Sequence, residues 1–159
     1  VYPLLASKER TLFKLFLCDV GLLTYKLFNG NQIEILNGNS TLNYGAVYEA
    51  VVAQELKAHG FDLYYNNDKK RGEIDFLIEL NNKVIPIEVK SGKDYKRHSA
   101  LNQLMNNKVF NYEKSYVLCN DNIEEMNKII YLPIYMVMFI EKLKSNEKRI
   151  VHLDISKLI

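Results

Sequence analysis

The sequence predicts an α/β fold in which a mixed central sheet is flanked by helices. Three observations predict it. Residues 44–60 have the apolar spacing of a helix, and three strand-like segments follow within residues 61–90. A second helical segment, residues 99–108, then leads to a strand at 115–119. The order α-β-β-β-α-β combines tight hairpins with one helical crossover, so the sheet should contain both antiparallel and parallel pairs.

Before this core, the sequence predicts two short elements and a loop. Residues Phe13–Leu17 are a candidate strand, or part of a helical run. Asp19 is placed to cap a short helix over Val20–Phe28, because its carboxylate can accept a hydrogen bond from a free N–H of the first turn. Residues 29–41 are rich in Asn and Gly, which favours a loop and makes this the best internal boundary.

The remaining elements follow from local signals. The first helix should end at Gly60, since glycine readily adopts the left-handed conformation after a helix. Residues 66–72 are typical of a turn, and Pro133 is suited to the start of a helix through Leu143. Strand character is found in six segments: residues 61–65, 73–80, 83–90, 115–119, 128–132 and 149–159.

Composition places the chain among soluble globular domains. It has 159 residues, 48% hydrophobic and 25% charged, with a net charge of +2. This charge is too small to argue for a nucleic acid or membrane partner by itself. Cys18 and Cys119 are isolated, as expected of reduced cysteines in a cytoplasmic protein. The apolar run 129–140 is too short to span a bilayer and contains Pro133, so we expect no membrane association.

The segments 73–80 and 83–90 predict a hairpin that carries charges among apolar residues. Asn81-Asn82 suits a two-residue turn, since Asn tolerates positive φ. If Leu80 pairs with Lys83, counting back along both strands places Asp75 opposite Glu88. Two opposed carboxylates repel each other, so the sequence must supply a compensating feature. A divalent cation, Lys90 or a raised carboxylate pKa would each provide one.

Each strand of this hairpin has an apolar face and a mixed face. Alternation places Ile74, Phe76, Ile78 and Leu80 on one side of the first strand, and Asp75 with Leu77 on the other. The alternative interpretation is a simple surface hairpin, in which Glu73 pairs with Lys90 while Asp75 and Glu88 face water. Pro86 lacks an N–H, which favours an edge or a bulge near it.

Basic residues cluster at the end of the hairpin that is distant from its turn. Three precede the first strand and four follow the second: Lys69, Lys70 and Arg71, then Lys93, Lys96, Arg97 and His98. A carboxylate pair with a basic rim suits a phosphodiester substrate, with phosphates on the rim. The alternative is a basic loop that only aids solubility.

Glu49 is the third acidic candidate. On the predicted helix it shares a face with Val52, Ala53 and Leu56. A carboxylate in an apolar stripe is costly unless it is paired or bound to metal. Glu55, near Tyr48 and Val51, competes for this description. The alternative interpretation is a Glu at the edge of the stripe whose carboxylate reaches water, and periodicity alone does not distinguish the two.

These residues resemble the PD-(D/E)XK nuclease superfamily: Asp75 on one strand, Glu88-Val89-Lys90 on the next and a preceding helical Glu49. The α-β-β-β-α-β order is that of the restriction-endonuclease-like core. More narrowly, the chain resembles a prokaryotic domain of unknown function usually found C-terminal to an AAA+-type ATPase core. That resemblance rests on five blocks in order: "CDVGLL", "GAVYEAVVAQEL", "GEIDFLIE", "VIPIEVKSGK" and "YLPIYMV".

The resemblance implies a role for each site residue. Asp75 and Glu88 would bind Mg²⁺ or Mn²⁺ together with the carbonyl of Val89. Lys90 would position or activate the attacking water, and Glu49 would support the metal or the water. The basic rim would hold DNA.

It also implies a domain organisation. Residues 1–40 would link to an ATPase part that binds ATP and precedes this sequence, and residues 41–159 would form the nuclease-like domain. No phosphate-binding glycine motif of the P-loop kind occurs in the sequence itself.

Two functions from different classes follow. The first is metal-dependent phosphodiester hydrolysis on DNA. The second is a catalytically idle module that docks DNA or protein for its ATPase.

Overall fold

The computed structural model describes residues 3–9, 11–29, 32–37, 43–68, 72–107 and 112–142. Its four α-helices are α1 (Val20–Leu27), α2 (Gln32–Leu36), α3 (Gly45–Ala58) and α4 (Ser99–Met105). Its six strands are β1 (Tyr64–Asp68), β2 (Gly72–Leu80), β3 (Lys83–Val89), β4 (Ser115–Cys119), β5 (Glu124–Met126) and β6 (Ile129–Pro133). Leu4–Ser7 and Ile134–Phe139 are 3₁₀-helices.

The strands form one mixed sheet in the order β1-β2-β3-β4-β6-β5. β2 is antiparallel to both β1 and β3, and β5 is antiparallel to β6. β3, β4 and β6 are mutually parallel, and α4 lies in the connection between β3 and β4. The predicted fold class and the order α-β-β-β-α-β, here α3-β1-β2-β3-α4-β4, are therefore confirmed.

The predicted hairpin and its turn are confirmed. Asn81 and Asn82 have φ values of 53° and 62°, the left-handed conformation that a two-residue turn of this kind requires. Leu80 pairs with Lys83, and the register continues in step to the pair of Phe76 and Ile87. The next step along both strands reaches Asp75 and Glu88.

Alternation in β2 is interrupted at the site, which corrects the predicted faces. Tyr64 pairs with Leu77, but Asn66 pairs with Ile74, so three residue steps of β2 oppose two of β1. This is a β-bulge, and it reverses the side on which the preceding residues point. Ile74 accordingly packs in the cluster that contains Leu77, and not with Phe76 and Ile78. Asp75 lies inside the bulge.

Both faces of the sheet are covered by helices. Against one face, α3 contributes Val52, Ala53 and Leu56 to a cluster with β2 and β3. Against the other, Leu101 and Leu104 of α4 pack on Leu77 and Val84. Leu77 and Val84 of the predicted mixed face are thus buried against α4, and Glu88 is buried as well, so the surface-hairpin alternative is wrong.

Pro86 does not lie on an edge strand, because β3 is interior. The parallel pairing with β4 begins one residue later, at Ile87 and Tyr116. The missing N–H of Pro86 therefore breaks no bond of that ladder.

The caps behave as predicted. The Asp19 carboxylate accepts a hydrogen bond from the Leu22 N–H at 2.8 Å, which starts α1. Gly60 follows α3 with a φ of 78°. The N–H groups of Gly60 and Phe61 then bond to the carbonyls of Lys57 and Leu56, so two terminal carbonyls of the helix are satisfied.

Several predicted boundaries were wrong. Residues 12–17 form neither the predicted strand nor a helix, and α2 occupies part of the predicted loop 29–41. β1 begins at Tyr64 because it pairs with β2 only from there, and it extends into the predicted turn. Pro133 precedes a short 3₁₀-helix, not a helix through Leu143. β5 was not predicted, and the tail 149–159 lies outside the described residues.

Candidate active site on the central hairpin

Asp75 is held at the junction of β2 and β3. Its side chain is 14% exposed. Its Oδ2 accepts a hydrogen bond from the backbone N–H of Val89 at 2.8 Å. In a regular ladder the Val89 N–H would donate to a backbone carbonyl of β2. Because of the bulge in β2, it donates to the Asp75 carboxylate instead. Asp75 is thereby tied to the strand that carries Glu88 and Lys90.

Glu88 is a buried carboxylate, and one of its oxygens has no hydrogen-bond partner among the described residues. The residue is 7% exposed. Its Oε1 lies 2.7 Å from the Lys90 ammonium nitrogen. Its Oε2 is buried and has no hydrogen-bond partner in the part of the chain that the structure describes. A buried carboxylate oxygen without a partner is unusual and is a candidate ligand position for a cation.

The environment of Asp75 disfavours its charge. Burial raises the pKa of Asp75, and the negative charge of Glu88 raises it further. Glu49 adds a smaller effect in the same direction, while the Val89 N–H and Lys14 act against these causes. The resulting pKa is about 7, against an ordinary value of 3.8. The carboxyl is thus poised to exchange its proton for a cation near neutral pH.

Lys14 completes the cluster, and sequence reasoning missed it. Its ammonium forms an ion pair with Glu73, and it lies 3.5 Å from Glu49 Oε2 and 3.8 Å from Asp75 Oδ1. The three charges raise the pKa of Lys14 even though burial acts to lower it. The one available signal was a lone lysine in the apolar run "LFKLFL". Its partners lie at least 35 positions away, so no local pattern could identify them.

Lys90 and Glu73 do not pair with each other. Glu73 pairs with Lys14, and Lys90 pairs with Glu88. The Glu73–Lys90 ion pair predicted for a surface hairpin is therefore wrong. The bulge in β2 accounts for this, because it displaces Glu73 from the register that counting predicts. The Lys90 side chain stays 29% exposed, with its backbone N–H bonded to the carbonyl of Leu118.

The structure distinguishes the two glutamates of α3. Glu49 faces the site through its contact with Lys14, and its side chain is 30% exposed. Glu55 instead pairs with His59 one turn later, at 3.3 Å. Glu49 is therefore the helical acid that the site includes.

A neighbouring polar network joins α3 to the end of β4. Asn120 Nδ2 donates to the Tyr48 hydroxyl at 2.8 Å and to the carbonyl of Ser91 at 3.4 Å. Ser91 follows Lys90 directly, so this network positions the backbone beside the site. Its residues come from three separate parts of the chain, and sequence reasoning did not find it.

The predicted basic rim is only partly described. Lys69, Lys70 and Arg71 lie outside the described residues. Lys93 is exposed, Lys96 pairs with Glu124 at 2.7 Å, and Arg97 lies 3.9 Å from Asp94 with a side chain that is 85% exposed. His98 is buried, and its Nε2 lies 2.8 Å from the Tyr131 hydroxyl. Its side chain therefore packs inside the domain and does not belong to the basic surface.

The donor chemistry fits a hard divalent cation. In the described part of the chain, no three His, Cys, Asp or Glu side chains are grouped closely enough to hold a metal by themselves. Mg²⁺ nevertheless often uses only one or two carboxylates and keeps several waters. Asp75 and Glu88 supply two carboxylates, with one orphaned oxygen and one raised pKa. A groove of about 750 Å³, lined in part by Asp75 and Lys14, gives access from solvent.

No helix in the described ranges is long and apolar enough to cross a bilayer.

Comparison with protein families identifies a family to which most of the site belongs. The model of a family described as "Domain of unknown function (DUF4143)" matches residues 44–137. Neither curated proteins nor solved structures match the chain. The matched range includes Glu49, Asp75, Glu88 and Lys90, and Lys14 lies before it.

Proposed function

The chain belongs to the DUF4143 family of domains of unknown function, and from that premise we propose that it is a metal-dependent phosphodiesterase that acts on DNA. The site would be that of the PD-(D/E)XK nucleases that the sequence resembles. The same resemblance supports the further proposal of an AAA+-type ATPase part in the same protein, and the two free cysteines support a cytoplasmic location.

One observation carries the proposal: Glu88 is buried, its Oε2 has no partner among the described residues, and it lies beside an Asp75 carboxyl whose pKa is raised to about 7. Burial and the negative charge of Glu88 disfavour ionisation of Asp75, and a cation near the two acids would offset that cost. A purely structural hairpin would gain stability from apolar or amide residues at these positions. Their presence in a buried sheet therefore favours a ligand.

Each residue has a proposed role. Asp75, Glu88 and the carbonyl of Val89 would hold Mg²⁺ or Mn²⁺, which prefer oxygen ligands. The cation would supply charge stabilisation at the scissile phosphate. Lys90 would orient the attacking water from its 29%-exposed position, and Glu49 would support that water or the cation's hydration shell. The exposed cations Lys93 and Arg97 would contact backbone phosphates.

The proposal is tested with purified protein and labelled DNA, single- and double-stranded, in Mg²⁺, Mn²⁺ or EDTA. We expect cleavage with either cation and none with EDTA. Asp75→Asn and Lys90→Met should each lower the rate by roughly a hundredfold or more, as is typical when a group that stabilises the transition state is removed.

Glu125→Gln is the matched control. Glu125 is an exposed acid on a strand of the same sheet, so its loss should leave the rate unchanged. Well-folded protein that cleaves no DNA under any of these conditions would overturn the proposal.

A second function is favoured by Lys14, whose ammonium already compensates Glu49, Glu73 and Asp75. Such a site could be catalytically idle, and the domain would then dock DNA or protein for its ATPase. In that case EDTA and Asp75→Asn would leave DNA binding unchanged in a gel-shift assay. A loss of binding on chelation would exclude it.

A further inference from the structure

Lys14 occupies a defined position within the acidic cluster. Its side chain is 21% exposed, and its three carboxylate neighbours come from α3 and β2: Glu49, Glu73 and Asp75. Four acids including Glu88 thus share two ammonium groups, those of Lys14 and Lys90. Without a bound metal ion, Lys14 therefore supplies much of the positive charge that offsets repulsion among these carboxylates.

The oxygen that Lys14 approaches is the one a metal would use. Asp75 Oδ2 accepts the Val89 N–H at 2.8 Å. Asp75 Oδ1 therefore remains for a cation, and the Lys14 ammonium is 3.8 Å from it. A divalent cation at Oδ1 and a lysine ammonium at this distance would repel each other strongly, because both would share one partly buried site.

The segment that carries Lys14 is weakly held. We name residues 12–17 the strap. They form no helix or strand, and within the described chain no backbone hydrogen bond fixes them. Phe16 anchors the strap by packing on Phe76, with ring centroids 5.6 Å apart. The flanking Phe13 and Leu15 side chains are 71% and 86% exposed.

We propose that Lys14 is an internal counter-ion that a divalent cation displaces from Asp75, so that the strap moves when metal binds. The inference rests on the metal site of the proposed function. In the metal-free state Lys14 holds the strap over the carboxylates. In the metal-bound state its ammonium moves away from Asp75 Oδ1, and the packing of Phe16 on Phe76 keeps the strap attached to the sheet.

The first test is Mn²⁺ affinity, measured by calorimetry on the whole chain without nucleic acid. Lys14→Met should bind Mn²⁺ roughly tenfold more tightly than the original protein, because a competing charge a few ångströms away is removed. Lys14→Arg keeps the charge and should bind about as the original does. Lys8→Met is the matched control, since Lys8 is exposed and takes part in none of the described ion pairs.

The outcomes separate this inference from the proposed function. Unchanged or weaker Mn²⁺ binding by Lys14→Met, with binding still abolished by Asp75→Asn, would overturn the role of Lys14 and leave the metal site standing. Absence of binding in every variant would overturn both. Binding that appears only in Lys14→Met would support the inference.

The second test follows the strap itself. Limited chymotrypsin digestion, with mass spectrometry of cleavage after Phe13 and Phe16, reports how exposed the strap is. Lys14→Met without metal should be cut several-fold faster than the Lys8→Met control. Adding Mn²⁺ to the original protein should accelerate the same cuts, whereas slower or unchanged cutting would contradict displacement.

Discussion

Two hairpins of this sheet have the same kind of turn and opposite environments. The central hairpin joins β2 to β3 through Asn81-Asn82, and the edge hairpin joins β5 to β6 through Asn127-Lys128. All four turn residues have φ between 50° and 69°. The central hairpin is covered on both faces, whereas β5 forms one edge of the sheet.

The exposure of each hairpin determines the ion pairing and the pKa of its acidic side chains. Glu124 of β5 has a side chain that is 40% exposed and pairs with Lys96. The Asp75 side chain of β2 is 14% exposed and has a raised pKa. Glu88 of β3 is buried, and within the described ranges its Oε2 has no hydrogen-bond partner. Turn chemistry therefore sets which residues face each other, while burial decides whether an acid pairs with a lysine at the surface, as Glu124 does, or has a raised pKa, as Asp75 does.

The largest contrast should appear in core substitutions. Ile87 is fully buried between β2, β4 and α3, whereas Met126 of β5 is 43% exposed. Ile87→Ala should lower the free energy of unfolding by about 2–5 kcal/mol through lost burial and a cavity. Met126→Ala should change it by less than about 0.5 kcal/mol. Urea titration followed by circular dichroism measures both. Equal losses would contradict the difference in environment.

The next contrast is the pH dependence of stability. The pKa of Asp75 is raised to about 7 in the folded protein, above its ordinary 3.8. Between these values the folded state holds a proton that the unfolded chain has released, so stability falls as pH rises and is lowest above pH 7. Asp75→Asn should therefore stabilise the protein by about 2–4 kcal/mol at pH 8 and by little at pH 4.

Glu125→Gln is the edge-hairpin control for that measurement. It should leave the free energy of unfolding nearly unchanged at both pH values, because Glu125 is exposed. Denaturant titrations at pH 4, 6 and 8 give the comparison. Equal stabilisation by Asp75→Asn at pH 4 and pH 8 would show that ionisation of Asp75 is not its cause.

The smallest contrast lies in the turns. Lys128 has a φ of 69°, a conformation that costs a lysine more than it costs an asparagine. Lys128→Gly should raise the free energy of unfolding by about 0.5–1 kcal/mol, and Asn82→Gly by less. The shift in urea midpoint distinguishes them. A larger gain from Asn82→Gly would show that Lys128 is not strained.

Much of the candidate site follows from local rules. Asn81-Asn82 and strand alternation place Asp75 near Glu88, and the spacing of α3 places Glu49 on its inner side. The partners of Glu73 and Lys90 do not follow, because the bulge in β2 arises from pairing with β1. β5 was not predicted because it has three residues, too few to show the alternation of apolar and polar side chains that identifies a strand.

By itself, the sequence determined the core order α-β-β-β-α-β, the cap of α1, the glycine that follows α3, the turn at Asn81-Asn82 and the approach of Asp75 to Glu88. These depend on backbone preferences and side-chain periods within a few residues of each other. Tertiary structure alone decided that Glu88 is buried, that the bulge redirects Glu73, and that Lys14 enters the acidic cluster. The reason is physical: burial and charge pairing depend on distances in space, and residues remote in the chain set those distances.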